Sequence, residues 1–254
     1  MTTDKPLILV TNDDGIHARG LSLLVEALEP LGEIYVYAPD REQSAVGHGV
    51  SLNRPLRISR LKENWYMVDG TPTDCVVLAV RDLLGRRPAL VASGINAGAN
   101  LGDDVTYSGT VAGAFEGMLL RVPSFAISNV GKRPKHFEAA AAVGASVAQH
   151  LLTHGLPKDV TLNVNVPDLP LDQLRGTMYT RMGRRNYTDE IIQREDPRGG
   201  KYYWIGGDDA THEAENGDTD FAAIEKDCVS ITPLQRDITH HAALSQLRTR
   251  PIKL

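Results

Sequence analysis

The sequence predicts an α/β fold, a three-layer sandwich around a mostly parallel, Rossmann-like sheet. Three observations support this prediction. The 254 residues are 42% hydrophobic and 23% charged, as in an ordinary globular chain. Over the first two thirds of the chain, short apolar runs alternate with segments of helical spacing. These runs are apolar at consecutive positions, which is typical of parallel strands covered by helices on both faces.

The predicted elements follow from hydrophobic spacing and from the turn residues that bound each run. Six runs are predicted as strands: Leu7–Thr11, Glu33–Ala38, Tyr66–Val68, Ala89–Ala92, Ser124–Ser128 and Val160–Val166. Four segments are predicted as helices: Leu21–Leu28, Val76–Leu83, Val111–Leu120 and Phe137–His154. Residues 1–170 are therefore expected to form an α/β core that carries the functional site.

Residues 171–254 have a different pattern, and we expect them to form an extension of that core. Residues from about 177 to 207 are predicted as a protruding antiparallel β-hairpin that turns at Asp-Pro-Arg-Gly-Gly. A strand at 228–232 and a helix at 239–248 follow. The hairpin has too little apolar sequence for a core of its own. We expect the hairpin and the C-terminal segment to pack on the core or to be exchanged between subunits of a homo-oligomer.

Charge and composition exclude several classes of partner. The formal net charge is −5, which disfavours a nucleic-acid polymer as partner. No run approaches the roughly 20 apolar residues of a membrane span, so we expect a cytoplasmic protein with no membrane partner. Cys75 and Cys228 lie in apolar segments and are interpreted as small hydrophobic residues without a chemical role.

The first strand ends in Asn12-Asp13-Asp14-Gly15, where two adjacent carboxylates leave the edge of the sheet. Neighbouring carboxylates repel each other, and a cation beside them relieves that cost. Their hard oxygen atoms suit Mg²⁺ or Mn²⁺ better than Zn²⁺. A solvated Asp-Gly turn without a metal is the alternative interpretation.

Two later loops offer further oxygen ligands. Ser44 follows the second strand and could lend a hydroxyl oxygen to the same cation, although a serine in such a loop is more often an ordinary loop residue. Asn96 follows the strand at 89–92, in a glycine-rich run, and could complete the oxygen shell. No dinucleotide fingerprint or P-loop occurs in the chain, so hydride transfer and ATP chemistry lack support.

Ser108-Gly109-Thr110 immediately precedes a predicted helix and is a candidate anion site. Ser108 is a good helix N-cap, and the free amides and positive end of the helix favour a bound phosphate. A plain helix cap is an equally good interpretation of this segment in isolation. A carboxylate-bound cation nearby favours the anion site, since a metal ion and a helix N-terminus together can hold a phosphate monoester.

Five ordered segments together resemble a known family: VTNDDG, APDREQSAVGH, GTPTDC, SGINAGANLG and YSGTVAGA. In this order and spacing the chain closely resembles the SurE family, the survival-protein-E 5′/3′-nucleotidases, from Leu7 to about Pro233. The resemblance implies a metal-dependent phosphomonoesterase that hydrolyses nucleoside 5′- and 3′-monophosphates, and in some members short polyphosphate. It also implies a dimer or tetramer formed through an exchanged hairpin and C-terminal segment.

The resemblance also implies roles for individual residues. One divalent ion per subunit, Mg²⁺ or Mn²⁺, is expected on four residues that match the metal ligands of the family: Asp13, Asp14, Ser44 and Asn96. The phosphate-holding positions match Ser108, Gly109 and Thr110, with Asn12 and Asn100 as neighbours of the substrate. Asp13 or Asp14 is expected to orient or deprotonate the attacking water, and the acid for the leaving group is not identified.

Two other readings of the acidic motif stay open at this stage. A haloacid-dehalogenase-type phosphatase requires Asp-x-Asp, whereas Asp13 and Asp14 are adjacent. A receiver-like signalling module also binds Mg²⁺ with paired acids, and Lys132 could supply its lysine. Such modules occupy roughly half of this length and do not require an anion site at residues 108–110.

Overall fold

The computed structural model describes residues 5–186, 191–205, 211–212, 217–250 and 252. The strands are β1 (Leu7–Thr11), β2 (Glu33–Pro39), β3 (Ile58–Lys62), β4 (Trp65–Val68), β5 (Leu90–Ala97), β6 (Ser124–Val130), β7 (Val160–Pro167), β8 (Thr177–Tyr179), β9 (Arg185–Asn186), β10 (Ile191–Glu195), β11 (Lys201–Ile205), β12 (Thr211–His212) and β13 (Val229–Gln235). The α-helices are α1 (Arg19–Leu28), α2 (Pro72–Leu78), α3 (Gly109–Leu119), α4 (Phe137–His154), α5 (Asp220–Glu225) and α6 (His241–Arg248).

Nine strands form the central sheet in the order β3-β4-β2-β1-β5-β6-β7-β13-β8. Neighbouring strands are parallel throughout, except that β3 is antiparallel to β4 and β13 is antiparallel to β7. Helices α1 and α4 pack together on one face, and α2 and α3 pack together on the other. The prediction of a three-layer α/β sandwich with a mostly parallel sheet is therefore confirmed.

The buried strand β1 shows why the sheet is covered on both sides. Its five residues are fully or almost fully buried. Ile8 and Val10 belong to the apolar cluster under α1 and α4, whereas Leu9 between them belongs to the cluster under α2. Alternate residues of a strand point to opposite faces, so consecutive apolar residues supply both cores.

All six predicted strands are present, but their bounds show where sequence patterns are weak. The fourth predicted strand, Ala89–Ala92, continues as β5 to Ala97, into the glycine-rich run that we read as a loop. Strand β3 was missed because its five residues are all exposed at the edge of the sheet, so the run lacks an apolar pattern. The helix expected at Val76–Leu83 begins earlier, at Pro72, and ends in a π-helical turn, Ala79–Leu83.

The bounds of the hairpin differ from the prediction of about 177–207. Strand β10 pairs with β11 next to the turn, and β9 pairs with β12 farther from it, so the described antiparallel pairs extend from Arg185 to His212. Across the turn, the amide of Asp196 donates to the carbonyl of Gly200 at 2.8 Å. The prediction was wrong for Thr177–Tyr179, which form β8 of the central sheet because they pair with Val229–Ile231 of β13. Residues 187–190 and 206–207 of the predicted hairpin lie outside the described residues.

The hairpin and the C-terminal helix leave large apolar side chains exposed. Trp204 is 65% exposed and Ile205 is 89% exposed, and every residue of α6 is at least partly exposed. Exchange of these segments between subunits stays a prediction, as does the division of the chain at residue 170. None of the helices within the described residues has the length and apolar character that a membrane span requires. The cytoplasmic location also stays a prediction.

The order of the strands indicates where a ligand would bind. The chain moves from β1 to β2 on one side of the sheet and later returns to place β5 on the other side of β1. In such sheets, ligands bind outside the carboxyl ends of the strands, at the point where the order reverses. This point is the end of β1, at Asn12 and Asp13.

Candidate active site at the carboxyl end of the sheet

Segments that are distant in the sequence meet around Asp13 and Asp14. The amide of Gln43, in the loop after β2, donates to the carbonyl of Asp13 at 2.8 Å. The amide of Ala97, at the end of β5, donates to Oδ2 of Asp14 at 3.0 Å. The Thr110 hydroxyl, at the start of α3, donates to Oδ1 of Asp13. The structure therefore brings together the loops after β1, β2 and β5 and the start of α3.

Asp13 lies under the first turn of α3 and is only 4% exposed. A Cβ atom at Gly109 would lie 2.9 Å from the Cβ of Asp13, 3.0 Å from its Oδ2 and 3.2 Å from a methyl group of Val46. Such contacts are too close for a real side chain, so only glycine lets the start of α3 approach the carboxylate. Gly109 thus has a steric role in the site in addition to its predicted contact with phosphate.

Within the part of the chain that the structure describes, the two carboxylates have no cationic partner. Burial raises the pKa of Asp13 to about 6, with the Thr110 hydrogen bond opposing the rise and the charge of Asp14 adding to it. Burial also raises the pKa of Asp14, and the nearby Glu42 adds to this effect. Among the described residues, no Lys, Arg or His forms an ion pair with either carboxylate. The site therefore holds excess negative charge.

Ser44 and Asn96 lie on the loops that contact this pair. The exposed Ser44 hydroxyl donates to a carboxylate oxygen of Glu42 at 2.7 Å, and its neighbour Gln43 is bonded to Asp13. Asn96 is half-buried at the end of β5, where the pairing with β6 shifts register between Ser93 and Asn96. Its Nδ2 donates to the carbonyl of Gly98 at 2.9 Å. This bond uses the amide nitrogen and does not consume the oxygen, the atom that a hard cation binds.

The chemistry of these side chains fits a hard divalent cation. Within the described part of the chain, no group of three or more His, Cys, Asp and Glu side chains is arranged to hold a metal ion. A cation here would therefore bind two carboxylates together with neutral oxygens of Ser44 and Asn96. Oδ1 of Asn12 is a further buried oxygen without a hydrogen-bond partner, while Nδ2 of that residue donates to the carbonyl of Gly15 at 2.9 Å. This donor set suits Mg²⁺ or Mn²⁺ rather than Zn²⁺.

The start of α3 presents backbone N–H groups beside the carboxylates. Ser108 is the N-cap, and its Oγ accepts from the amide of Val111 at 3.0 Å. The amides of Gly109 and Thr110 belong to the first turn, where no intrahelical acceptor is available. The Thr110 hydroxyl is directed to Asp13, so the predicted phosphate site at 108–110 also supports the acidic pair.

His48 and Glu116 connect the loop after β2 to α3, a contact that the sequence pattern does not predict. Nε2 of His48 lies 2.9 Å from Oε2 of the buried Glu116, and the amide of Gly47 donates to the carbonyl of Tyr107 at 2.9 Å. A glutamate on a helix otherwise rich in small and apolar residues is the signal that could have indicated it. The pair fixes the loop that carries Ser44 against the helix that carries Gly109.

Comparison with known proteins gives one consistent family. The model of the family described as Survival protein SurE matches residues 8–189. A protein named 5′-nucleotidase SurE from Pelobacter propionicus is 52% identical over 243 residues, which cover 95% of this chain and 98% of that protein. Another of the same name, from Aeromonas hydrophila, is 52% identical and covers 94% of this chain and 96% of that protein.

A solved structure gives the same result for the fold. The SurE protein from Aquifex aeolicus matches with a TM-score of 0.86 and 42% sequence identity. The match covers 96% of this chain and 99% of that chain. The similarity in sequence and in structure therefore extends over nearly the whole chain, including the loops described above.

Asp13 provides a test of the electrostatic description. In protein freed of metal by a chelator, Asp13→Asn should increase the free energy of unfolding at pH 7.5 by up to roughly 3 kcal/mol. The pKa of this carboxyl is 3.8 when it is exposed in the unfolded chain, and burial raises it to about 6 in the folded protein. The charged form of Asp13 therefore destabilises the fold at high pH. The gain should disappear near pH 4, where the aspartate is protonated in the folded protein.

The measurement is urea denaturation at both pH values, with Asp172→Asn as control because Asp172 is an exposed carboxylate on a surface turn. An Asp13→Asn protein that is no more stable than wild type at pH 7.5 would contradict the description.

Proposed function

The chain belongs to the SurE family, and from that premise we propose that it is a metal-dependent phosphomonoesterase that hydrolyses nucleoside 5′- and 3′-monophosphates to nucleoside and phosphate. The observation that carries the proposal is the pair Asp13 and Asp14, which lies at the N-terminus of α3 without a cationic partner among the described residues. The relatives named 5′-nucleotidase support the same class of substrate. Short polyphosphate is proposed as a further substrate, since it presents the same terminal phosphate.

One divalent ion per subunit, Mg²⁺ or Mn²⁺, would bind Asp13, Asp14, Ser44 and Asn96. When bound, it would neutralise charge on the phosphoryl group and lower the pKa of a water molecule. The fit rests on the hard oxygen atoms of these four residues and on the uncompensated charge of the two carboxylates.

The two aspartates have different surroundings, which suggests different roles in the reaction. Asp13 is buried and fixed by the Thr110 hydroxyl, which keeps its carboxylate in one orientation. Asp14 is half-buried, and one of its oxygens accepts from the amide of Ala97. Either could orient the attacking water and accept its proton, and Asp14 is the more accessible of the two.

The first turn of α3 would bind the phosphate group of the substrate. The amides of Gly109 and Thr110 and the positive end of the helix favour the negative charge that the phosphoryl group carries during transfer. Ser108 caps the helix and keeps this turn in place. Asn12 and Asn100 are proposed as neighbours of the substrate, because both are buried at the same edge of the sheet.

The proposal predicts release of inorganic phosphate from a panel of nucleoside 5′- and 3′-monophosphates. A chelator should abolish it, and added Mg²⁺ or Mn²⁺ should restore it. Asp13→Asn and Asp14→Asn should each lower kcat/KM by at least about 100-fold, a loss of the size found when a group that stabilises transition-state charge is removed. Asp172→Asn is the matched control, since it removes an exposed carboxylate from the surface turn after β7.

Undiminished, metal-dependent release by Asp13→Asn would overturn the assignment. An acyl-phosphate on Asp13 formed during turnover, or a fluoride mimic of phosphate bound to the Asp13 carboxylate, would instead favour a haloacid-dehalogenase-type mechanism. Stable labelling by acetyl phosphate without turnover of nucleotides would favour a receiver-like module.

We also propose that the chain forms a dimer or tetramer through its hairpin and C-terminal segment. The hairpin exposes apolar side chains on both strands, including Ile191, Trp204 and Ile205, and α6 exposes Leu247. A monomer would leave these apolar side chains exposed to water. Their burial against a second copy of the chain would stabilise the assembly.

Trp204→Ser should therefore shift the protein to a smaller assembly, because it removes the largest exposed side chain of the hairpin. The measurement is molar mass by light scattering after size-exclusion chromatography over a range of concentrations. Leu52→Ser is the control, since Leu52 is 84% exposed but lies in the loop before β3 and is not part of the hairpin. The same molar mass for Trp204→Ser and wild type at all concentrations would contradict this role of the hairpin.

A further inference from the structure

Two asparagines interrupt the apolar strand β7, and both are fully buried. Asn163 and Asn165 alternate with Leu162, Val164 and Val166, so they share the face of the sheet that α3 covers, while the apolar residues face α4. An amide group buried in the protein interior costs free energy unless its hydrogen bonds are made. Their presence in a strand core therefore requires an explanation.

Both asparagines bind the backbone of Asn100, in the glycine-rich run after β5. Oδ1 of Asn165 accepts from the amide of Asn100 at 2.9 Å, and Nδ2 of Asn165 donates to the carbonyl of Asn100 at 2.9 Å. Nδ2 of Asn163 donates to the same carbonyl at 2.8 Å. One residue of the run is thus held at both its N–H and its C=O by side chains of β7.

The side chain of Asn100 is oriented by the same network. Its Nδ2 donates to Oγ of Ser128 at 2.7 Å, and Ser128 lies opposite Asn165 in the pairing of β6 with β7. One amide hydrogen of Asn100 is used in this bond, and the NH₂ group carries a second. The position and the direction of this amide therefore depend on buried residues of β6 and β7, the next two strands of the sheet after β5.

We propose that Asn165, assisted by Asn163, is a positioning residue that fixes Asn100 and the run after β5 for binding of the substrate phosphate. The inference rests on the proposed function for its activity readout. Oδ1 of Asn163 is buried without a hydrogen-bond partner, which costs free energy. The other end of the same side chain, Nδ2, makes the contact with the carbonyl of Asn100. An apolar residue would serve sheet packing without that cost.

Strand β7 supplies its own control for a merely structural role. Thr161 is also fully buried and lies on the same face, but its hydroxyl bonds to the carbonyl and the hydroxyl of Ser124, at the amino end of β6. Thr161→Val removes buried hydrogen bonds from the same strand at the end of the sheet away from Asn100. It should lower stability without affecting the candidate site.

The experiment compares Asn165→Leu, Asn163→Leu and Thr161→Val in the full-length protein. We expect kcat/KM for a nucleoside 5′-monophosphate to fall about 10–100-fold in Asn165→Leu, as when outer-shell partners of a site are removed. Asn163→Leu should give a smaller loss, and Thr161→Val should stay within about twofold of wild type. Thermal unfolding of each variant shows whether it is folded under the assay conditions.

Hydrogen exchange of the Asn100 amide gives a readout that does not depend on activity. Protection should fall in Asn165→Leu, which removes its acceptor, and should persist in Asn163→Leu and Thr161→Val. If Asn165→Leu does not fold, the test is whether Asn163→Leu loses more kcat/KM than Thr161→Val does. The inference is overturned if every folded asparagine variant matches Thr161→Val in kcat/KM, or if Asn165→Leu leaves Asn100 fully protected. Absence of phosphate release by wild type would overturn the proposed function, while the exchange data would still test the contact.

Discussion

The burial of two adjacent carboxylates is the constraint on which the rest of the site depends. Asp13 is almost inaccessible and Asp14 is half-buried. The ion pairs among the described residues include neither of them. Their repulsion and loss of hydration destabilise the fold unless a cation offsets them. Three features of the surrounding structure follow from this constraint. Gly109 allows α3 to approach Asp13, and the Thr110 hydroxyl and the Ala97 amide donate hydrogen bonds to the carboxylate oxygens. The atoms available to bind a cation are oxygens.

The site is assembled by backbone contacts between loops that the sheet brings to one edge. Gln43 bonds to the backbone of Asp13, and Gly47 bonds to the backbone of Tyr107. Asn165 holds the backbone of Asn100 from a strand on the other side of β6. Because each loop is fixed by a neighbouring element, small changes in the core can alter the geometry of the site without any change in the residues that carry the chemistry.

The sequence predicted the layers of the fold and the acidic pair, because both rest on local patterns. Consecutive apolar residues in β1 indicated a sheet covered on two faces, and Asp13-Asp14 at its end indicated the site edge. Contacts between distant segments could not be predicted in this way. Asn163 and Asn165 look like interruptions of an apolar run until the fold places Asn100 beside them, and Thr177–Tyr179 look like a hairpin arm until β13 offers a partner. Every residue of β3 is exposed, so the strand has no alternation of buried and exposed positions that its sequence could reveal.

The most direct test of the account is the anomalous diffraction of manganese in crystals of the protein grown with Mn²⁺. The account predicts one strong peak per subunit in contact with the carboxylates of Asp13 and Asp14. Crystals of Asp13→Asn prepared in the same way should lack that peak or show it much weakened. Manganese bound elsewhere on the protein, with no anomalous density between these two side chains, would contradict the account.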